Sequence, residues 1–131
     1  MEIGSMLETL LDSVILIDHF NGRSKATHFI SRLDPNRVAI SVITRAEILV
    51  GFEAGEEQEK VKFLLDQYTL LTIDRRIADR AAELRREFGW KLPDAFQAAL
   101  ALHHRLKFAT RNTKDFNPRK HAFVEVPYRL R

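Results

Sequence analysis

LPDAFQAALALHHRLKFATRNTKDF, residues 92–116, decides the fold, because it joins an apolar helix to a short strand and carries polar clusters at both ends. Ala95, Phe96, Ala98, Ala99, Leu100, Ala101 and Leu102 are apolar on nearly every side, which predicts a helix buried over most of its surface. Pro93 suits that helix's first turn. Phe108 to Thr110 then reads as a strand, with Asn112 and Asp115 just past it. An acid, Asp94, at the mouth of a buried helix, and polar groups beyond the next strand, occupy the places where open α/β sheets put their sites.

Working outward, the same alternation of short apolar strands and helices recurs. Leu7 to Leu11 reads as a buried strand that turns at Asp12 into a helix through Val14 to Ile17, ending near Asn21-Gly22. Ser24 to Leu33 carries Ala26, Phe29, Ile30 and Leu33 at helical spacing, and Asp34-Pro35-Asn36 stops it. Val38 to Val42 is a β-branched second strand. Thr44-Arg45-Ala46-Glu47 has the pattern of a capping box opening the next helix, with Ala46, Ile48, Leu49, Val50 and Phe52 as its apolar face. Val61, Phe63, Leu64 and Leu65 mark another helix, and Tyr68 to Ile73 a third strand. From Asp74 to Phe88 a stripe of Ile77, Ala81, Leu84 and Phe88 runs among arginines, which predicts an amphipathic helix leaving through Gly89 and Trp90. Phe123 to Val126 supplies a short fifth strand. Such alternation implies parallel pairing, hence a three-layer α/β/α domain with a mostly parallel sheet of four to five strands.

Composition sets the outer limits. With 131 residues and 45% apolar content, residues 1–131 form one domain with a sizeable core. Residues 1–5 are expected to be an added or disordered remnant ahead of a second start at Met6. The chain has no cysteine, which excludes disulfides and Cys-ligated zinc and suits a reducing cytoplasm. Leu10 to Ile17 is interrupted by Asp12 and Ser13 and is too short to span a bilayer, so no membrane partner is expected. The net charge is +3, but Lys107 to Arg131 holds seven Lys or Arg against two acids, a basic segment that attracts phosphate as well as being an ordinary solvated face.

Asp12, Glu47, Asp94 and the pair Asn112/Asp115 all fall at or just past inferred strand ends. Singly, each has a structural role to play: a helix N-cap, a capping box, a first-turn acid facing the helix dipole, a turn residue. Together, one parallel sheet would crowd them into one cleft. Two carboxylates about 4 Å apart repel by about 4 kcal/mol at an effective dielectric near 20, so such a cluster holds protons or binds a cation. An all-oxygen donor set selects Mg²⁺ or Mn²⁺ over zinc.

LLDSVILID at Leu10 to Asp18, SVITRAEILVG at Ser41 to Gly51, LPDAFQAALA at Leu92 to Ala101 and ATRNTKDF at Ala109 to Phe116 resemble, in order and spacing, the motifs of the PIN domain family. The likeness is greatest to the toxin ribonucleases of VapBC-type toxin–antitoxin pairs and covers nearly the whole chain. It implies a PIN-like fold and an endoribonuclease that cleaves RNA phosphodiester bonds by metal-activated water. Asp12, Glu47 and Asp94 match the acids that hold Mg²⁺ or Mn²⁺, and Ser13 matches a small hydroxyl residue supporting the first acid. The family's fourth acid falls at Asn112, with Asp115 three residues on as its substitute, able to hold a second ion or orient the water. Val14 departs from relatives that carry a polar residue there. The resemblance also implies a homodimer and a cognate antitoxin, for which the helices at Arg45 to Phe52 and Val61 to Asp66 are candidate faces.

Two other classes fit parts of the pattern. A receiver-like phosphoacceptor domain also gathers acids and Mg²⁺ at strand ends, although it leaves Glu47 without a role. A PIN-like module that binds RNA or protein without cutting is suggested by Asn112. Thr110, Arg111 and Lys114 stand beside the proposed site for backbone contacts. His103 and His104 project about 100° apart on a helix and do not form a metal pair, while Trp90, Tyr68 and Tyr128 fit the core better than base stacking.

Overall fold

The alternation predicted from the sequence closes into a five-stranded sheet of order β3-β2-β1-β4-β5, with every neighbouring pair parallel. The computed structural model describes residues 6–130, so the expectation for residues 1–5 lies outside the described residues. The strands are β1 (Thr9–Leu11), β2 (Val38–Ser41), β3 (Thr69–Leu71), β4 (Lys107–Ala109) and β5 (Val124–Glu125). Between them run α1 (Ser13–Phe20), α2 (Ser24–Ser31), a 3-10 turn (Pro35–Arg37), α3 (Val42–Val50), α4 (Glu56–Leu65), α5 (Arg75–Phe88) and α6 (Leu92–His104). A receiver-like domain has the order 2-1-3-4-5, so the observed order sets that alternative aside.

Alternation along β1 divides the core. Leu10 faces one side and packs with Ala39, Leu84 of α5, Leu100 of α6, Phe108 and Phe116. Leu11 faces the other and packs with Ile15, Leu16, Ile40, Ile48, Val61 and Leu65 from α1, α3 and α4. The result is the three-layer arrangement expected, with α5 and α6 on one face of the sheet. Leu10, Leu11 and Phe108 are fully buried, each contributing roughly 2–3 kcal/mol by removal from water. Ala95, Ala98, Ala99 and Ala101 of α6 are all at 0% exposure, and their small size lets α6 approach both α5 and the sheet closely.

β1 is central, and the chain runs outward from it in opposite directions, to β2 and β3 on one side and to β4 and β5 on the other. The crevice at the carboxyl ends of β1 and β4 is therefore the topological switch point, where such sheets bind ligands. Its rim is made by Asp12, whose N–H bonds Ala109 O at 2.9 Å, and Thr110, whose N–H bonds Glu125 O at 3.0 Å.

Three local expectations need correction. The capping box at Thr44 to Glu47 does not form: α3 begins one turn earlier, and Ser41 is its N-cap, with Oγ accepting from Thr44 N at 3.0 Å. Thr44 is buried inside the helix and Glu47 is left exposed to other uses. Val50 and Phe63, expected on apolar inner faces, are 87% and 72% exposed. Helix ends also shift slightly, α2 stopping at Ser31 instead of Leu33.

The exit of α5 behaves as expected. Gly89 adopts φ +75, and a Cβ there would meet nothing within 4 Å, so only backbone strain opposes a side chain. Gly89→Ala should cost about 1–2 kcal/mol and lower Tm by roughly 4–8 °C, read by thermal denaturation, with no change in the folded far-UV spectrum.

Candidate functional site

Asp12 follows β1 directly and occupies the N-cap position of α1, yet its side chain makes no capping bond. It turns across the switch point instead, where Oδ2 accepts from Thr110 Oγ1 at 2.7 Å. Thr110 Oγ1 in turn accepts from Asn112 N at 3.0 Å, which fixes the hydroxyl's direction. The Ser13 hydroxyl stands 3.5 Å from Oδ1, a long contact, and the Ser13 backbone lowers the Asp12 pKa. Asp12 is only 6% exposed. Burial raises its pKa above the ordinary carboxylate value, the Thr110 bond opposes that, and the charge of Glu47 adds to it.

Asp94 lies in the first turn of α6, partly buried. Its pKa is pushed up to about 6, first by desolvation and then by the charges of Asp12, Asp115 and Glu47. Four acids from α3, α6 and the ends of β1 and β4 are therefore gathered within electrostatic reach of one point. Asp12, Ser13, Asp94 and Asn112 line one groove of about 430 Å³ together with Val14, Arg111, Thr113 and Lys114. Glu47 and Asp115 act on it from its margins. Among the described residues no three acids or histidines stand close enough together to form a closed metal cage.

Asn112 and Asp115 work as a unit. Asn112 Nδ2 donates to Asp115 Oδ2 at 3.0 Å, Asp115 N approaches Asn112 Oδ1 at 3.4 Å, and Trp90 Nε1 donates to the Asp115 carbonyl at 2.8 Å. Asn112 thus orients Asp115, the residue expected to substitute for the fourth acid. Arg111 lines the groove, but its guanidinium is engaged by Asp18, with Nη2 at 2.8 Å from Oδ1. Tyr128 also donates to Asp18, at 2.8 Å, and the Arg111 bonds hold the Asp18 carboxyl below its ordinary value. Lys114 is exposed and makes no ion pair among the described residues.

Sequence reasoning passed over Gln97, the one polar residue in the run Ala95 to Leu102. It is 2% exposed, with its amide nitrogen 2.8 Å from Thr44 Oγ1 and its Oε1 buried without a donor among the described residues. The amide's two ends are decided by their partners. The reverse orientation lets the Thr44 hydroxyl donate to Oε1 and turns Nε2 to the side now left unpartnered, and Gln97 already lowers the pKa of Asp12. The signal was present: a polar amide in a helix buried on all sides must find a partner. His103 and His104 close α6 exposed, their rings 4.8 Å apart, at the opposite end of the helix from Asp94.

The profile of the family described as PIN domain matches residues 9–120. The chain belongs to the PIN domain family. Over 94% of its length this PIN domain is similar to a chain of a toxin-antitoxin complex from Klebsiella pneumoniae, itself covered over 100%, with 38% identity and a TM-score of 0.86. It is also similar to the FitAcB structure from Neisseria gonorrhoeae, at 24% identity and TM-score 0.74, covering 93% of this chain and 99% of that one. DNA-bound VapBC from Salmonella typhimurium matches over 84% of this chain and 90% of that one, at 22% identity and TM-score 0.68. The last two share the fold. A comparison with curated proteins gives no match.

Because the Asp94 pKa in the fold, about 6, lies above its ordinary 3.8, folding favours the protonated acid. This group's contribution is fully present below about pH 4 and is lost as pH rises through about 6. Asp94→Asn should therefore raise Tm at pH 7.5 in EDTA by roughly 3 °C or more and leave Tm at pH 4 nearly unchanged, as measured by calorimetry at the two pH values.

Proposed function

We propose that this PIN domain is a Mg²⁺- or Mn²⁺-dependent endoribonuclease and the toxin of a type II toxin–antitoxin pair. The observation that carries the reading is the Asp94 carboxyl, pushed up to about 6 by burial and by Asp12, Asp115 and Glu47 around it. Uncompensated carboxylates of this kind attract a divalent cation. The donor set fits: it is all oxygen, and Mg²⁺ is commonly held by one or two carboxylates with several retained waters, so a closed cage is not required. Asp12, Asp94 and Glu47 would hold the ion, directly or through water, with Asp115 available for a second. When bound, the ion supplies a lowered pKa to an attacking water and offsets charge on the phosphate and the leaving 3′ oxygen.

The chain's own residues prepare that chemistry. Thr110 holds the Asp12 carboxylate in one orientation, and Asn112 does the same for Asp115. Asp18 keeps Arg111 from neutralising the acids. Lys114, which makes no ion pair among the described residues, would take a backbone phosphate of the RNA at the groove.

The similarity to a toxin-antitoxin complex at 38% identity supports an antitoxin partner. Val50 on α3 and Phe63 on α4, both strongly exposed, lie on the helices expected to meet it or a second copy of the chain. Among the described residues no helix is long and apolar enough to cross a membrane.

Purified protein freed of any partner should cleave RNA with Mg²⁺ and not with EDTA. Asp94→Asn and Asp12→Asn should each lower kcat by at least about 100-fold with the circular dichroism spectrum unchanged. Equal behaviour of wild type and Asp12→Ala on RNA would favour a module that binds without cutting.

A further inference from the structure

Beside the acidic groove lies a second cavity of about 400 Å³, lined by Phe88, Trp90, Lys114, Asp115, Lys120 and His121 with Asn117. Lys114 lines both grooves, so the two adjoin at that side chain. The floor of the second is an aromatic platform: the Phe88 ring stacks on Trp90 at 4.6 Å and 24°. His121 meets both rings edge-on, at 5.0 Å and 5.1 Å. Trp90 is 5% exposed and packed on Phe116, whereas Phe88 is 43% exposed. Phe88 is thus supported by Trp90 and His121 while part of it stays open to solvent. Helix burial does not account for it, because the α5 stripe of Ile77, Ala81 and Leu84 is buried without it.

A supported aromatic face flanked by cations is the arrangement with which single-stranded nucleic acid is held, bases stacking on the ring and phosphates meeting the lysines. Lys114 and Lys120 make no ion pair among the described residues. Platform and acids are mechanically joined, since Trp90 Nε1 donates to the backbone carbonyl of Asp115 at 2.8 Å. We propose that this cavity is a nucleobase subsite, in which a base of single-stranded RNA next to the scissile phosphate stacks on Phe88 while Lys114 and Lys120 take its flanking phosphates. The choice of RNA as ligand rests on the nuclease reading of the neighbouring groove. The subsite would favour unpaired over duplex RNA, because only a splayed base can reach the ring.

Trp90 is the single tryptophan, so its fluorescence reports directly on the platform. An RNA hexamer, added in EDTA so that it is not cut, should quench Trp90 saturably, and tripolyphosphate, which carries charge without a base, should not. Phe88→Leu keeps Trp90 covered but removes the ring, and should weaken hexamer binding about 5-fold or more. Phe88→Tyr should restore it. Lys120→Ala should reduce the slope of log affinity against log salt by about 0.7. With Mg²⁺, Phe88→Leu should raise KM and leave kcat unchanged. Hexamer affinity or KM unchanged in Phe88→Leu, with its melting curve intact, would overturn the subsite, as would equal quenching by tripolyphosphate. The two readings fail separately. Binding with quenching but no cleavage in Mg²⁺ sinks the nuclease and keeps the subsite, whereas normal cleavage with an unaltered KM in Phe88→Leu does the reverse.

Discussion

The hydrogen bond from Thr110 to the buried carboxylate of Asp12 is the contact on which the site depends. It spans the crevice between the ends of β1 and β4, the place where the strand order reverses, and so ties together the two halves of the sheet. A carboxylate at 6% exposure survives there only because hydrogen-bond donors surround it. The polar groups around it come from widely separated stretches: Ser13 from the start of α1, Gln97 from the middle of α6, Thr110 from the end of β4. Thr44 of α3 reaches the same point through Gln97. The polar centre is therefore assembled by tertiary structure, and no single segment contains it.

Much of the fold could be read from the chain because its local and global signals agree. Short continuous apolar runs, buried on both sides as in β2, separated by apolar helices, leave little besides a parallel sheet with two covered faces. The electrostatic convergence of Asp12, Glu47 and Asp94 could be read for a similar reason, since acids placed just past strand ends come together once the strands run parallel. The failures have physical causes as well. Thr44 to Glu47 has the composition of a capping box, but Ser41 offers the same hydroxyl one turn earlier, and the helix starts there. Val50 and Phe63 are apolar yet exposed, because apolarity permits burial without requiring it. Gln97 was hidden by its neighbours, as its role depends on Thr44 and Asp12, 53 and 85 residues away in sequence.

Asn112 places an amide where a fourth acid was expected and bonds the carboxylate three residues on. An amide can donate to one oxygen of Asp115 while its own oxygen faces the Asp115 backbone, something a carboxylate at the same position does less well. The negative charge then stands three residues on, oriented from two sides by Asn112 and by the Trp90 contact to its carbonyl. Charge and orientation, often combined in one side chain, are here divided between two.

The pairing of Arg111 with Asp18 carries a wider consequence. A guanidinium beside four carboxylates would ordinarily collapse onto them as a built-in counter-ion and leave the protein self-neutralised. Asp18, itself buried at 3% exposure and steadied by Tyr128 from the C-terminal segment, acts as a decoy acid that occupies Arg111 first. The acids of the groove are left open to positive charge from outside, and a phenol from the irregular C-terminal segment helps to hold the arginine away from them.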